Sequence, residues 1–81
     1  MKRPVQELRD ELSAYQKHIG SRVKHIASGG RYDIISVHFR ESDMAVCFEY
    51  SPVGDELVRF SRPVSEMLLD GRFVFIGGVL R

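Results

Sequence analysis

Two runs of alternating side chains flank the polar tetrapeptide Arg40-Glu41-Ser42-Asp43. Residues 32–39 carry Ile35, Val37 and Phe39 on one parity, and residues 44–50 carry Met44, Val46 and Phe48. A period of two is that of a half-buried strand, and two such runs around a short polar segment predict a β-hairpin. With the tip at Glu41-Ser42, or with residues 40–43 as the loop, Phe39 faces Met44, Val37 faces Val46 and Ile35 faces Phe48. A slip of one residue would turn all six to solvent, so burial specifies this register. The opposite face, Ile34, Ser36, His38, Ala45, Cys47 and Glu49, is small and half-polar. It is suited to a covering helix, a ligand or a second subunit.

The segments around the hairpin extend the pattern. Residues 4–19 predict an amphipathic helix: Val5, Leu8, Leu12, Tyr15 and Ile19 recur in steps of 3 and 4 and form one stripe. Pro4 suits a first turn, and the acids Glu7, Asp10 and Glu11 precede Lys17 and His18, the order the helix dipole favours. Gly20 then ends the helix. A first strand follows over residues 21–27, then a turn at Ser28-Gly29-Gly30-Arg31. After the hairpin, residues 51–56 make a second turn and residues 57–60 a short strand. Val58 and Phe60 join the Val46 and Phe48 face if Gly54 supplies a bulge. Residues 63–69 read as one or two helical turns opened by Pro63 and stopped by Asp70-Gly71, and residues 72–76 as a last strand that Gly77-Gly78 frays. This predicts an α+β fold: an N-terminal helix on a small, strongly bent five-stranded antiparallel sheet, an SH3-like barrel. Residues 1–20 form the helix and residues 21–81 the β-barrel-like domain, in one folding unit.

Size makes such a fold marginal. The chain has 81 residues, 43% of them hydrophobic, which suits one globular domain and argues against disorder. Its single cysteine forms no internal disulfide, and the core of so short a chain is thin. Packing or self-association has to supply the rest, so a homo-oligomer, a dimer, is expected. Its contact is either the Val5, Leu8, Leu12, Tyr15 stripe or the face of Ile34, Ala45 and Cys47. The same stripe also suits packing on the domain's own sheet. No apolar run approaches the ~20 residues that span a bilayer, and no apolar stretch follows the charges of the first seven residues. A cytoplasmic protein without a membrane partner is expected.

One set of residues has a recognisable spacing: Gly30-x-Tyr32-x-Ile34-Ile35, a strand ending in Tyr50, a turn with Gly54-Asp55, then Phe60-x-Arg62-Pro63-x-x-x-Met67 and Phe73. Over residues 22–76 it resembles a family of short bacterial and phage domains of unknown function that end in an aromatic-x-Arg-Pro-x-x-x-Met-Phe segment. Phe60 stands where that family has tryptophan, and Leu68 where it has phenylalanine. The helix lies outside the resemblance. The resemblance implies a compact β domain of bacterial or viral source, and it implies no activity.

Charge is segregated along the chain. Residues 1–31 hold seven bases and three acids, residues 32–70 three bases and eight acids, within a total of +1. Residues 17–31 contain no acid, and Tyr15 and Tyr32 flank their bases. Bases beside exposed rings suit a phosphate-bearing ligand, the charges taking phosphate and the rings stacking. Arg59 and Arg62 form either a recognition spot or ion pairs with Glu49 and Glu66. The Ser28–Arg31 turn lacks the spacing of a phosphate-binding loop. His18, His25, His38 and Cys47, spaced by 7, 13 and 9, match no zinc motif, so no metal and no cofactor are expected. His38, Cys47 and Glu49 on one sheet face are the only arrangement with catalytic chemistry, and the chain has little wall left for a cleft.

The expectation is therefore a non-catalytic binding module, not an enzyme, of a bacterium or phage, acting by occupying a protein partner. The alternative is a binder of anionic ligands, nucleic acid or a small nucleotide held between subunits, through Lys17, Arg22, Lys24, Arg31 and Tyr32.

Overall fold

The computed structural model describes residues 4–78. Lys2 and Arg3, two of the seven bases counted in residues 1–31, and Arg81 lie outside them. Helix α1 (Val5–Ser13) leads through a single-turn 3-10 helix (Gln16–His18) into five strands. These are β1 (Ser21–His25), β2 (Arg31–Arg40), β3 (Ala45–Pro52), β4 (Phe60–Pro63) and β5 (Phe73–Gly78), with α2 (Val64–Leu68) between the last two. All strand pairs are antiparallel, in the order β4-β3-β2-β1-β5. The sheet curls into a half-barrel, an α+β fold of SH3-like type, and β4 and β5 are its two edges.

The inner face of the curl is the core. Val23, Ile34, Val46, Phe48, Tyr50, Val64, Met67 and Phe73 form one buried cluster, against which Leu12, Tyr15, Tyr32, Val37 and Phe39 pack. Phe48 is its centre: full burial of such a side chain is worth about 1.5–3 kcal/mol. The outer face is polar and laced across strands. Arg22 binds Asp33, Ser36 donates to Glu49, and His38 meets Ser61.

The hairpin forms, in a register two residues away from the expected one. Phe39 faces Val46 and Val37 faces Phe48. The loop is residues 41–44, because Met44 takes a left-handed backbone (φ 59°) and donates its N–H to the Arg40 carbonyl. Asp43 fixes that turn, accepting from the Ala45 N–H at 3.1 Å while pairing with Arg40 at 2.7 Å. A bulge between Ile34 and Ser36 then absorbs one residue. It reverses the parity of the two isoleucines: Ile34 is the core residue, 2% exposed, and Ile35 is only half-buried. The supposed outer face of Ile34, Ala45 and Cys47 is thus no free surface, since Ile34 and Cys47 are both buried.

The long helix is broken. Ser13 Oγ bonds back to the Arg9 carbonyl, the α-helix stops, and the tighter 3-10 turn swings Tyr15 and His18 edge-on to the Phe48 ring at 6.3 and 5.7 Å. Leu8 is buried, Leu12 and Tyr15 lie on the domain's own core, and Val5 alone of that stripe stays exposed.

The fourth strand is Phe60–Pro63 instead of 57–60. Leu57 is 96% exposed and Val58 lies in the connecting turn, so the Gly54 bulge is not needed; Gly54 instead serves the turn with φ 87°. The first strand ends at His25, two residues early, and the last runs on through Gly77 to Gly78. Pro63 caps α2 from outside instead of opening it, and the helix buries Val64 and Met67.

Candidate binding site

At one end of the sheet, each of the five strands contributes a ring. His25 closes β1, Tyr32 opens β2, Tyr50 lies late on β3, and Phe60 and Phe73 open β4 and β5. Antiparallel pairing brings these termini together: Tyr50 faces Phe60 and His25 faces Phe73. The rings then meet edge to face or tilted. Tyr32 lies 5.4 Å from Tyr50, 6.1 Å from Phe60 and 6.4 Å from Phe73. Tyr50 lies 5.6 Å from Phe60, and His25 lies 5.0 Å from Phe73. Such pairs add about 0.5–1.5 kcal/mol each beyond their burial.

Arg62 completes the group. Its guanidinium carbon sits 5.2 Å from the Phe73 centroid, Nε donates to the Tyr50 hydroxyl at 3.3 Å, and Nη1 donates to Glu66 Oε1 at 2.9 Å. The Tyr50 hydrogen bond, with the Glu66 carboxylate behind it, pushes the guanidinium above its ordinary range. Arg62 has five N–H donors, and Nη2 has no hydrogen-bond partner among the described residues. His25, Tyr32, Tyr50, Phe60, Arg62 and Phe73 line a shallow concavity of about 210 Å³. Phe60 is its exposed lip, while Tyr50 and Phe73 form its buried floor. The site can take one apolar or planar group against its rings and one acceptor on Arg62.

The basic window is divided between two faces. Arg22 is committed to Asp33 at 2.8 and 3.3 Å. Lys24 and Arg31 are cross-strand neighbours on the outer face, with no acidic partner among the described residues. Tyr32, one residue on, points to the inner face with Val23. Lys17 is exposed on the 3-10 turn. Arg59 pairs with Glu49 at 3.6 Å, so Arg59 and Arg62 both hold the ion pairs read as one of their two options.

Composition and spacing do not single out His25, Tyr50, Phe60 and Phe73 as a site. Apart from the resemblance, to which the last three belong, their sequence signal is that each stands near a strand end beside a turn. His38 Nε2 lies 3.0 Å from Ser61 Oγ, Glu49 binds Ser36 and Arg59, and Cys47 Sγ is directed at the Ala45 carbonyl. Among the described residues no three His, Cys, Asp or Glu side chains gather as a metal set, and no helix is long and apolar enough to cross a membrane.

No protein-family model, curated protein or solved structure matches the chain. What the site does is read from its own geometry.

Proposed function

We propose that the chain is a non-catalytic binding module of a bacterium or phage, acting in the cytoplasm by occupying a protein partner with the aromatic end of its sheet. The observation that carries this reading is the convergence of five rings, one per strand, on an arginine with a spare donor face. Aromatic and arginine side chains around a small concavity are the composition of an interface hot spot. An apolar side chain of the partner rests on Phe60 and Tyr32, and a carbonyl or carboxylate beside it accepts from Arg62 Nη2. The resemblance to short bacterial and phage domains is kept as part of this proposal, since Tyr32, Tyr50, Phe60, Arg62 and Phe73 are among the positions that enter it.

The test is affinity capture from bacterial lysate, followed by titration of the purified partner. Phe60→Ala and Arg62→Ala should each weaken binding by about tenfold or more. Lys24→Ala, on the other face, should not. Equal affinity for all three variants overturns the aromatic end as the contact.

A second reading rests on a separate observation: among the described residues Lys24 and Arg31 lie opposite each other without an acid, while Arg22, Arg40, Arg59, Arg62 and Arg72 each have one. Two like charges across a ladder cost stability unless an anion joins them. Binding of single-stranded nucleic acid or a nucleotide that weakens steeply with salt, and is lost in Lys24→Ala/Arg31→Ala, would establish it.

A further inference from the structure

The two edges of the sheet are built differently, and this is independent of the aromatic end. β4 is short, carries Arg62 and Pro63, and runs directly into α2. Short length, charge and proline are the devices by which proteins stop an edge strand from pairing with another chain. β5 has none of these three, and its one protective irregularity is the bulge at Ile76. Its sequence is Phe-Val-Phe-Ile-Gly-Gly, and Val74, Phe75 and Ile76 are 44%, 38% and 44% exposed. Among the described residues it pairs only with β1, and its register shifts once, at Ile76, leaving Phe73 to Phe75 regular. The far side of β5 therefore offers a row of backbone N–H and C=O groups between apolar side chains.

We propose that β5 pairs antiparallel with β5 of a second copy about a two-fold axis, joining two half-barrels edge to edge. Only an extended backbone satisfies such a row along its length. An apolar strand presented by the same chain is self-complementary in that geometry, the isologous arrangement of two-fold dimers. Head-to-tail pairing with β4 is disfavoured, because Pro63 has no N–H to give and α2 follows at once. A formal charge of +1 per copy sets little repulsion against the approach. The helix stripe is not available for this role, since Leu8, Leu12 and Tyr15 are used at home.

The contact is small. A six-residue strand is about 20 Å long, and pairing it covers well under the ~800 Å² per partner of a stable standard interface. The dimer is accordingly a weak one that forms in the micromolar range.

Sedimentation equilibrium of the full chain across micromolar concentrations tests this. A species of twice 9.3 kDa should grow with concentration. Val74→Lys and Ile76→Lys should each weaken it by about tenfold or more, by placing like charges across the axis, and Ser61→Lys on β4 should not. Circular dichroism checks that the variants remain folded. Should they unfold, amide exchange of the unaltered chain decides: the amides of residues 74–76 become more protected as concentration rises. A 9.3 kDa species throughout, assemblies larger than two, a dimer indifferent to both folded lysine variants, or concentration-independent exchange each overturn the proposal.

Discussion

The Tyr32 ring lies over Gly30: a Cβ placed on Gly30 would come within 3.0 Å of the Tyr32 hydroxyl and 3.1 Å of Cε1. Nothing in the backbone demands glycine there, since Gly30 is not among the residues with positive φ. What demands it is the ring. The clash falls on the far end of a movable side chain, so Gly30→Ala should lower stability by no more than about 1 kcal/mol. It should displace Tyr32 from Tyr50 and Phe60, visible as shifts in their ring resonances, and weaken partner binding. Gly30→Ala/Tyr32→Phe, which removes the hydroxyl, should partly restore both. An unfolded Gly30→Ala would show that the turn, not the ring, needs the glycine.

The bulge in β2 makes a sharp comparison between neighbours. Ile34→Asp buries an unpaired carboxylate in the core and should abolish folding, because such a group costs several kcal/mol against a small total. Ile35→Asp should still give a cooperative transition. With alanine the difference becomes measurable by urea denaturation: about 2–5 kcal/mol lost for Ile34→Ala and clearly less for Ile35→Ala. Equal losses would place the bulge elsewhere.

His18 ties stability to pH. Its ring lies against Phe48 at 5.7 Å and Phe75 at 5.3 Å. That burial, and secondarily the charge of Lys17, holds its pKa below the ordinary value of about 6.5. The unfolded chain therefore takes up a proton that the folded chain refuses. Stability from this group is full above about pH 6.5, falls as pH drops through the window beneath it, and is lost once pH passes the folded pKa. Urea titrations on either side of that window should show the decline in the wild type and a flatter response in His18→Gln. The same slope in both would remove His18 as its source.

Lys24 and Arg31 make a pair whose replacement improves one property and removes another. Lys24→Glu turns a like-charge cross-strand pair into an opposite one, which should raise stability by about 0.2–1 kcal/mol. If the outer face binds anions, the same change abolishes that binding. A thermal melt beside a nucleotide titration reads both effects. A fall in stability would mean that the two side chains do not face each other.

The elements were legible in the sequence wherever one periodicity dominated. The amphipathic start of the chain, the hairpin around Arg40–Asp43 and the Pro63-led helix before Phe73 all follow from local spacing. Register was not legible, because it depends on where one extra residue is placed. Ile34 and Ile35 are equally apolar, so no pattern distinguishes which of them a bulge sends inward. Leu57 and Val58 look like strand residues, yet they belong to the turn, since pairing with β3 begins only at Phe60. For the site, Arg62 and Tyr32 were visible as a base and a ring in suggestive places. Tyr50, Phe60, Phe73 and His25 were not, because each reads as ordinary strand patterning until topology brings five strand ends to one place. The basic window failed as a single surface for a related reason: adjacent residues of a strand point to opposite faces, so Arg31 and Tyr32 cannot act side by side.

If the aromatic end is the partner contact, its assembly from all five strands makes recognition a report on the completeness of the fold. His25 and Phe73, nearly fifty positions apart in the chain, have to meet before the concavity is complete. No fragment lacking one strand carries the whole concavity, and a nascent chain acquires it only after Phe73 has emerged. Edge strands are also the first to open in a native ensemble. Because Phe60 and Arg62 sit on β4 and Phe73 on β5, a brief release of either edge would dismantle that contact. Affinity for a partner and local edge stability are then one quantity, adjustable by substitutions that never touch the bound molecule.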